Sequence, residues 1–330
     1  MGEHPSKPGE SGRASAGPER YLSFMTSPDP PLSRRELLER AAAFAASLWL
    51  PAPLAACAAR TPDRERLAAW AGTLRAEHLA RLDSPTGRAA TRVGELAAGT
   101  PYVPGTLDAY LRTSTRVAEH EPLILSLTRF DCVTLVESCL AVARVAKGEG
   151  APSWKRFGQE IERMRYRGGV RRDYASRLHY FSEWISDGER RGLVRDLGPE
   201  LGATDDDRPL RFMTEHRDKY PALADERVFG KIEAMERRLD GYPRHLIPTG
   251  RISEVADRIE TGDVLGFATG IPGLDVTHAA FAYRNTAGSL GVLHAPLSGG
   301  VVEVARAALP DYVAAIRRAT GVLVARPLPR

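Results

Sequence analysis

The sequence predicts an α+β protein, with helices in its first half and an antiparallel sheet near its end. Apolar residues recur at helical spacing from Pro62 to Ala98, and another helix is predicted to begin near residue 131. After residue 248 the pattern changes to short β-rich runs, such as GDVLGFAT and VTHAAFAY, separated by Gly, Asn and Pro. GVLVARPL predicts a last strand at the end of the chain.

The first 57 residues are predicted to be a leader rather than part of the fold. Residues 1–33 are rich in Pro, Gly, Ser and charge, a composition typical of disorder. Two consecutive arginines then precede an apolar run that is too short to span a bilayer but suits an export signal, and the pair resembles a twin-arginine motif. The run ends in LAAC, which resembles a lipobox and predicts lipidation of Cys57, so a periplasmic or membrane-tethered protein is expected. A buried amphipathic helix with an incidental cysteine is the alternative, and Met25 is an alternative start.

The remaining chain divides by its periodicity. Residues 58–98 are predicted to form an N-terminal helical segment, and 99–330 the domain that carries the chemistry. Within that domain, a polar and mostly helical stretch at about 152–245 is interpreted as an insertion before the strands. The net charge of +4 is spread over interspersed acids and bases without a long basic block, so nucleic acid is not an expected partner.

The stretch RFDCVTLVES places one of only three cysteines at the start of a predicted apolar helix. Asp131 is the expected N-cap and Cys132 the first helical residue. A helix N-terminus carries about half a positive charge, which favours a thiolate and predicts a lowered cysteine pKa, with Asp131 opposing this a little. Cys139 lies about 10 Å further along the helix axis, too far for a disulfide. A capped helix with a small buried thiol is the alternative.

A nucleophilic cysteine needs a base, and two of the eight histidines are placed to serve it. His278 opens one predicted strand and His294 ends the next, so an antiparallel hairpin would bring them side by side if their side chains share a face. Cys132 as nucleophile, His278 as base and His294 as the orienting residue would form a triad that needs no metal or organic cofactor. A zinc site built from these three, with Asp275 or His179 as a fourth ligand, is the alternative, although no ligand pair has close zinc-site spacing.

The order of several short motifs resembles one bacterial branch of the NlpC-type papain-like cysteine peptidases, the N-acetylmuramoyl-L-alanine amidase-like family. The motifs span about Gly99 to Arg326 and are PYVPGTLD, FDCVTLVES, RYRGG, SRLHYFSEW, GDVLGFAT, GLDVTH and LHA. The resemblance implies a papain-like core, in which the nucleophile helix packs on a small antiparallel sheet. It also implies hydrolysis of an amide bond in peptidoglycan stem peptides or muropeptide fragments. Cys132, His278 and His294 match the nucleophile, the base and the third member.

The resemblance does not determine which amide bond is cut, because relatives in the superfamily typically cleave next to D-glutamate or a diamino acid. A cell-wall-binding lipoprotein without turnover is a further alternative. Other residues in the motifs are candidates for substrate binding: Tyr102 in the cleft wall, Arg167 facing a stem carboxylate, His179 and Tyr180 as hydrogen-bonding groups, and Asp275 beside the base. Each also has a structural interpretation, as turn packing, a surface charge, a core pair or a turn cap.

Overall fold

A computed structural model describes residues 61–112, 119–296 and 300–329, which all belong to the compact unit Pro51–Arg330. The predicted leader, export signal and Cys57 lie outside these residues. The helices are α1 (Thr61–Ala76), α2 (Thr86–Leu96), α3 (Cys132–Lys147), α4 (Trp154–Arg165), α5 (Phe181–Arg190), α6 (Gly198–Leu201), α7 (Phe212–Glu215), α8 (Glu226–Leu239), α9 (Ile252–Val255) and α10 (Leu309–Ala315). Short stretches of 3-10 helix join several of them. Within the described ranges, no helix has the length and apolar character needed to cross a membrane.

The strands form one antiparallel sheet in the order β2-β3-β8-β4-β5-β6-β7, with β1 pairing to β8 as a branch. Their bounds are β1 (Val194–Asp196), β2 (Thr204–Asp206), β3 (Arg244–Pro248), β4 (Val264–Thr269), β5 (Val276–Arg284), β6 (Leu290–His294), β7 (Glu303–Val304) and β8 (Ala319–Pro327). The α+β prediction is confirmed. One detail differs: β1 and β2 lie in the stretch expected to be helical. Strands of three residues are too short to give a readable alternation of apolar and polar positions.

Helix α3 lies at the centre of the larger hydrophobic cluster. Almost every residue from Cys132 to Ala146 is buried, because α1, α2, α4 and β5 pack around it. One face of the sheet, with Ala279 and Phe281, joins this cluster. The opposite face packs with α9 and α10. The sheet is therefore covered on both faces, and α3 is held rigidly along its whole length.

A close backbone contact joins the start of α2 to the turn before β4. A Cβ atom on Gly87 would lie 2.5 Å from the carbonyl oxygen of Gly262, and one on Gly262 would lie 2.1 Å from the carbonyl carbon of Gly87. Gly262 also has a φ of +99°, which L-residues with side chains rarely adopt. Only glycine fits at both positions, so this contact fixes α2 against the sheet.

We expect Gly87→Ala to lower the free energy of unfolding by about 2 kcal/mol or more, because the added methyl group must displace backbone. Gly72→Ala is the matched control. Gly72 lies in α1 with no neighbour within 4 Å of its added Cβ, and alanine there should stabilise the helix by about 0.5–1 kcal/mol. Urea unfolding measures both variants, and equal stability of the two would contradict the close contact.

Candidate active site

Helix α3 begins as the sequence predicted, with Asp131 as N-cap and Cys132 as the first helical residue. The Thr134 amide donates to Asp131 Oδ1 at 2.8 Å, and the Asp131 amide donates to Thr134 Oγ1 at 2.8 Å. This reciprocal capping box satisfies two amides of the helix entrance. It fixes the backbone next to Cys132, whose side chain is only 8% exposed.

The two predicted histidines are in direct contact. Nε2 of His278 lies 2.9 Å from Nδ1 of His294, and their rings meet edge to face. Strands β5 and β6 pair from Phe281↔Leu293 to Arg284↔Leu290, and this register puts His278 and His294 on the same face, as diagonal neighbours. Both side chains are buried, at 3% and 2% exposure. The hairpin therefore builds the histidine pair by its register alone.

Cys132 and His278 line the same pocket, of about 110 Å³. The backbone amide of Ala279, next to His278 on β5, lies near enough to the Cys132 sulfur to lower the pKa of the thiol a little. Nδ1 of His278, the ring nitrogen that His294 does not engage, is buried and has no hydrogen-bond partner among the described residues. A buried polar atom without a partner is costly, and such atoms in native structures often mark chemistry. The free nitrogen belongs to the ring that shares the pocket with the thiol.

His294 has two further polar neighbours. The hydroxyl of Tyr312, on α10, lies 3.2 Å from Nδ1 of His294. The carboxylate of Glu303, on β7, lies 3.9 Å from Nε2. Tyr312 also packs against Phe267, whose ring stacks on His278. His294 therefore has polar neighbours from three elements: His278 on β5, Glu303 on β7 and Tyr312 on α10.

The expected lowering of the cysteine pKa is wrong. Burial raises the pKa of Cys132 to about 12, the nearby Asp131 raises it further, and backbone amides of Ala279 and Val133 only partly offset this. Burial likewise lowers the pKa of His278 to about 3, with a smaller contribution from His294, and lowers that of His294 to about 4. The effect of desolvation on the Cys132 pKa exceeds that of the helix N-terminal charge, and no cationic side chain of the described residues contributes to lowering this pKa. At neutral pH the Cys132 thiol and both imidazoles of the histidine pair are therefore neutral.

Two of the candidate substrate-binding residues, His179 and Asp275, line the pocket, and a third, Tyr102, lies near Cys132. Asp275 is buried and accepts the amides of Ser182 at 2.8 Å and of Val276 at 2.7 Å, so it joins the entrance of α5 to the start of β5. Tyr102 pairs with Phe130 just before α3, and burial together with Cys132 raises the pKa of its phenol. These three residues therefore have structural contacts here: Asp275 accepts backbone amides, His179 forms part of the pocket wall, and Tyr102 lies next to the start of α3.

The other two candidates lie in different surroundings. Arg167 makes a bidentate ion pair with Glu183, through Nε at 2.5 Å and Nη2 at 2.9 Å, and its Nη1 donates to the carbonyl of Ala175 at 2.8 Å. Arg167 was expected to face a carboxylate of the substrate, but in this structure it pairs with Glu183 of the protein itself. Tyr180 points into the cluster around α8, where its hydroxyl donates to Glu236 at 2.6 Å. Alternation along the chain explains this, since the neighbours His179 and Phe181 face the pocket.

The sequence did not point to three residues that shape the site. Phe181 and Trp184 stack at 5.2 Å and form an apolar pocket wall. They lie in the quoted motif SRLHYFSEW, and their spacing of three residues on one helix face was the available signal. Tyr312 was missed because α10 is short, although Leu309, Tyr312 and Val313 have helical spacing.

As to metals, the described side chains include no group of three or more His, Cys, Asp or Glu residues that could hold an ion.

The fold and the pocket define an α+β protein with a cysteine at a helix start beside a buried histidine pair. The family model described as N-acetylmuramoyl-L-alanine amidase-like matches residues 92–321. Because this is well over half of the chain, the protein belongs to the N-acetylmuramoyl-L-alanine amidase-like family. Membership supports a hydrolase that acts on amide bonds. No curated protein matches the chain.

Solved structures agree with this assignment. An N-acetylmuramoyl-L-alanine amidase from Bacteroides uniformis is 28% identical, with a TM-score of 0.66, over 73% of this chain and 98% of its own. A Bacteroides fragilis protein, provisionally described as a xylanase, is 30% identical, with a TM-score of 0.61, over 71% of this chain and 98% of its own. LPG0564 from Legionella pneumophila is 20% identical over 80% of this chain and 93% of its own, with a TM-score of 0.57, which shows a shared fold.

The raised pKa of Cys132 predicts slow alkylation at neutral pH that accelerates only in strongly alkaline solution, because only the thiolate reacts. Asp131→Asn should lower this pKa, since it removes the nearby negative charge, and should increase labelling at a given pH. Peptide mass spectrometry after iodoacetamide treatment measures labelling of Cys132 as a function of pH.

Asp225→Asn is the matched control, because Asp225 is the N-cap of α8 and its side chain accepts the amide of Arg227. It should leave the pH profile of Cys132 unchanged. A midpoint of Cys132 labelling below the ordinary cysteine pKa of about 8.5 would contradict the burial argument.

Proposed function

We propose that the protein is a cysteine-dependent hydrolase of amide bonds in peptidoglycan stem peptides or muropeptide fragments. In this proposal Cys132 is the nucleophile, His278 the base and His294 the residue that orients the base. The observation that carries the proposal is the unpartnered Nδ1 of His278, on a ring that shares a pocket with the Cys132 thiol. The substrate class comes from the family, whose name refers to the amide bond between a glycan and its peptide.

The first half of the reaction follows from the neutral resting state. As the Cys132 sulfur attacks the amide carbonyl, its proton moves to Nδ1 of His278, so thiolate and imidazolium form only together with the new S–C bond. The carbonyl oxygen becomes an oxyanion, which the backbone amide of Cys132 stabilises in this proposal, because amides in the first turn of a helix have no intrahelical acceptor. The C–N bond then breaks, and the imidazolium returns its proton to the leaving amine.

The second half hydrolyses the thioester that remains on Cys132. A water molecule takes the place of the amine and gives its proton to Nδ1 of His278 as its oxygen attacks the carbonyl carbon. When the C–S bond breaks, the proton returns to the sulfur and the acid product leaves. The His278–His294 contact holds the ring in one orientation through both halves, which is the role of the third member of a triad.

The pocket wall favours an uncharged group beside the scissile bond. Phe181, Trp184 and Leu178 give it an apolar side, and the pocket is small, at about 110 Å³. Asp275 is engaged by backbone amides and His179 by the carbonyl of Tyr174, so these two shape the wall. Arg167 would meet a stem carboxylate only if its pair with Glu183 opened.

The broader assignment belongs to the same proposal. A helix that starts at the cysteine and packs on the strand that carries the base agrees with an NlpC-type papain-like core. The helices of residues 152–245 then form an insertion in a domain of residues 99–330, preceded by the helical segment 58–98. We also propose export to the periplasm or outer surface, with a lipid anchor at Cys57, on the strength of the signal-like leader.

Digestion of purified peptidoglycan and of defined muropeptides tests the proposal. We expect Cys132→Ala to lose at least about a thousandfold in rate, since removal of a nucleophile leaves only binding and oxyanion stabilisation. Cys139→Ala is the matched control, because Cys139 lies on the same helix, is equally free and packs in the core. It should retain the rate if it folds, with a loss of stability alone.

Mass spectrometry of the products identifies the bond that is cut. Turnover by Cys132→Ala at the wild-type rate would contradict the cysteine mechanism. Hydrolysis that disappears on treatment with a chelator and returns with Zn²⁺ would favour the zinc alternative. Binding to the polymer without any product, from a protein whose Cys132 is not labelled by a thiol-directed probe at any pH, would favour the non-catalytic wall-binding alternative.

A further inference from the structure

We propose that Tyr312 is a positioning residue that sets the protonation pattern of the histidine pair by donating its hydroxyl hydrogen bond to Nδ1 of His294. The catalytic role of this protonation pattern rests on the proposed function. The protonation pattern itself can be measured without it. Nδ1 of His294 has two neighbours, Nε2 of His278 at 2.9 Å and the Tyr312 hydroxyl at 3.2 Å.

A ring nitrogen of a neutral imidazole is either a donor or an acceptor, never both. If Nδ1 of His294 carries the proton, then Nε2 of His278 must accept, and the proton of His278 sits on its own Nδ1. If Nδ1 of His294 is the acceptor, then Nε2 of His278 must donate, and Nδ1 of His278 is left with a free lone pair. Only this second pattern lets His278 take a proton from Cys132.

The phenol of Tyr312 favours the second pattern. A phenolic oxygen is a better donor than acceptor, because its lone pairs are partly delocalised into the ring, whereas an imidazole lone pair is a good acceptor. No other hydrogen bond of the Tyr312 hydroxyl is present in the described part of the chain, so His294 is its available acceptor. Burial also raises the pKa of Tyr312 to about 12, which keeps its proton in place at neutral pH.

Glu303 favours the same pattern from the other side of the ring. Its carboxylate lies 3.9 Å from Nε2 of His294 and is attracted to an N–H there but repelled by a lone pair. With the His294 proton on Nε2, Nδ1 must accept from both neighbours. The result is a chain of donors that leaves Nδ1 of His278 unprotonated, and this is the buried nitrogen without a partner.

Two-dimensional ¹H–¹⁵N correlation of the imidazole nitrogens, recorded at pH 7, tests the inference on the intact protein. In the wild type we expect Nδ1 of His278 and Nδ1 of His294 to be unprotonated, with both protons on Nε2. Tyr312→Phe should populate the reversed pattern, which shifts Nδ1 of both rings toward the protonated position. Glu303→Gln is a second variant, on a side chain that is 53% exposed, and should shift them in the same direction.

Tyr283→Phe is the matched control. Tyr283 lies on β5, the same strand as His278, and its hydroxyl donates to Glu95 at 2.9 Å. The variant therefore loses one tyrosine hydrogen bond outside the pocket. Its nitrogen shifts should match those of the wild type. In hydrolysis assays we expect about a tenfold loss of kcat/KM for Tyr312→Phe, which corresponds to the free energy of one neutral hydrogen bond. We expect no loss for Tyr283→Phe.

A protonated Nδ1 of His278 in the wild type would overturn the inference, as would identical spectra for the wild type and Tyr312→Phe. Neither result depends on turnover. A protein with the expected nitrogen pattern but no Cys132-dependent hydrolysis would leave the inference intact and remove the proposed function. Cys132-dependent hydrolysis together with an unchanged nitrogen protonation pattern in Tyr312→Phe would support the proposed function and overturn the inference about Tyr312.

Discussion

The contact between His278 and His294 is the interaction on which the site depends. It needs both imidazoles to be buried and neutral, since a proton on each would place two positive charges at hydrogen-bonding distance. Burial achieves this by lowering the pKa of His278 to about 3 and of His294 to about 4. The hairpin register supplies the geometry. Once Nε2 of His278 is engaged by its neighbour, Nδ1 is the nitrogen that remains for chemistry in the pocket.

The same burial decides how the thiol behaves. A cysteine at an exposed helix start would be expected to ionise easily, but Cys132 is enclosed by β5 and by the loop that carries Tyr102. Burial of the Cys132 side chain removes much of the water that would solvate a thiolate, and this raises the pKa of the thiol. The thiol and the histidine pair are therefore uncharged at rest, and proton transfer must accompany bond formation. This arrangement protects the thiol from adventitious oxidation, which requires the thiolate.

Much of this layout was predictable from sequence. The N-cap, the first residue of α3 and the neighbourhood of the two histidines follow from local rules: a capping residue before an apolar run, and two strand-end positions in one hairpin. The pKa of Cys132 was not predictable, because the helix N-terminal charge is a local property and desolvation is a tertiary one. Tyr180 and Arg167 show the same limit. The motif SRLHYFSEW identified a segment that lines the pocket, but which of its side chains face the pocket depends on packing. Arg167, in the motif RYRGG, pairs with Glu183 of that segment instead of lining the pocket.

Titration of Cys132 with methyl methanethiosulfonate, with hydrolysis of a defined muropeptide recorded at each step, tests the central claim most directly. Peptide mass spectrometry gives the fraction of Cys132 that carries the small methylthio group, which a reductant removes. The account predicts that activity falls in proportion to that fraction, reaches zero at full modification and returns on reduction. Undiminished hydrolysis by protein in which Cys132 is fully modified would contradict it.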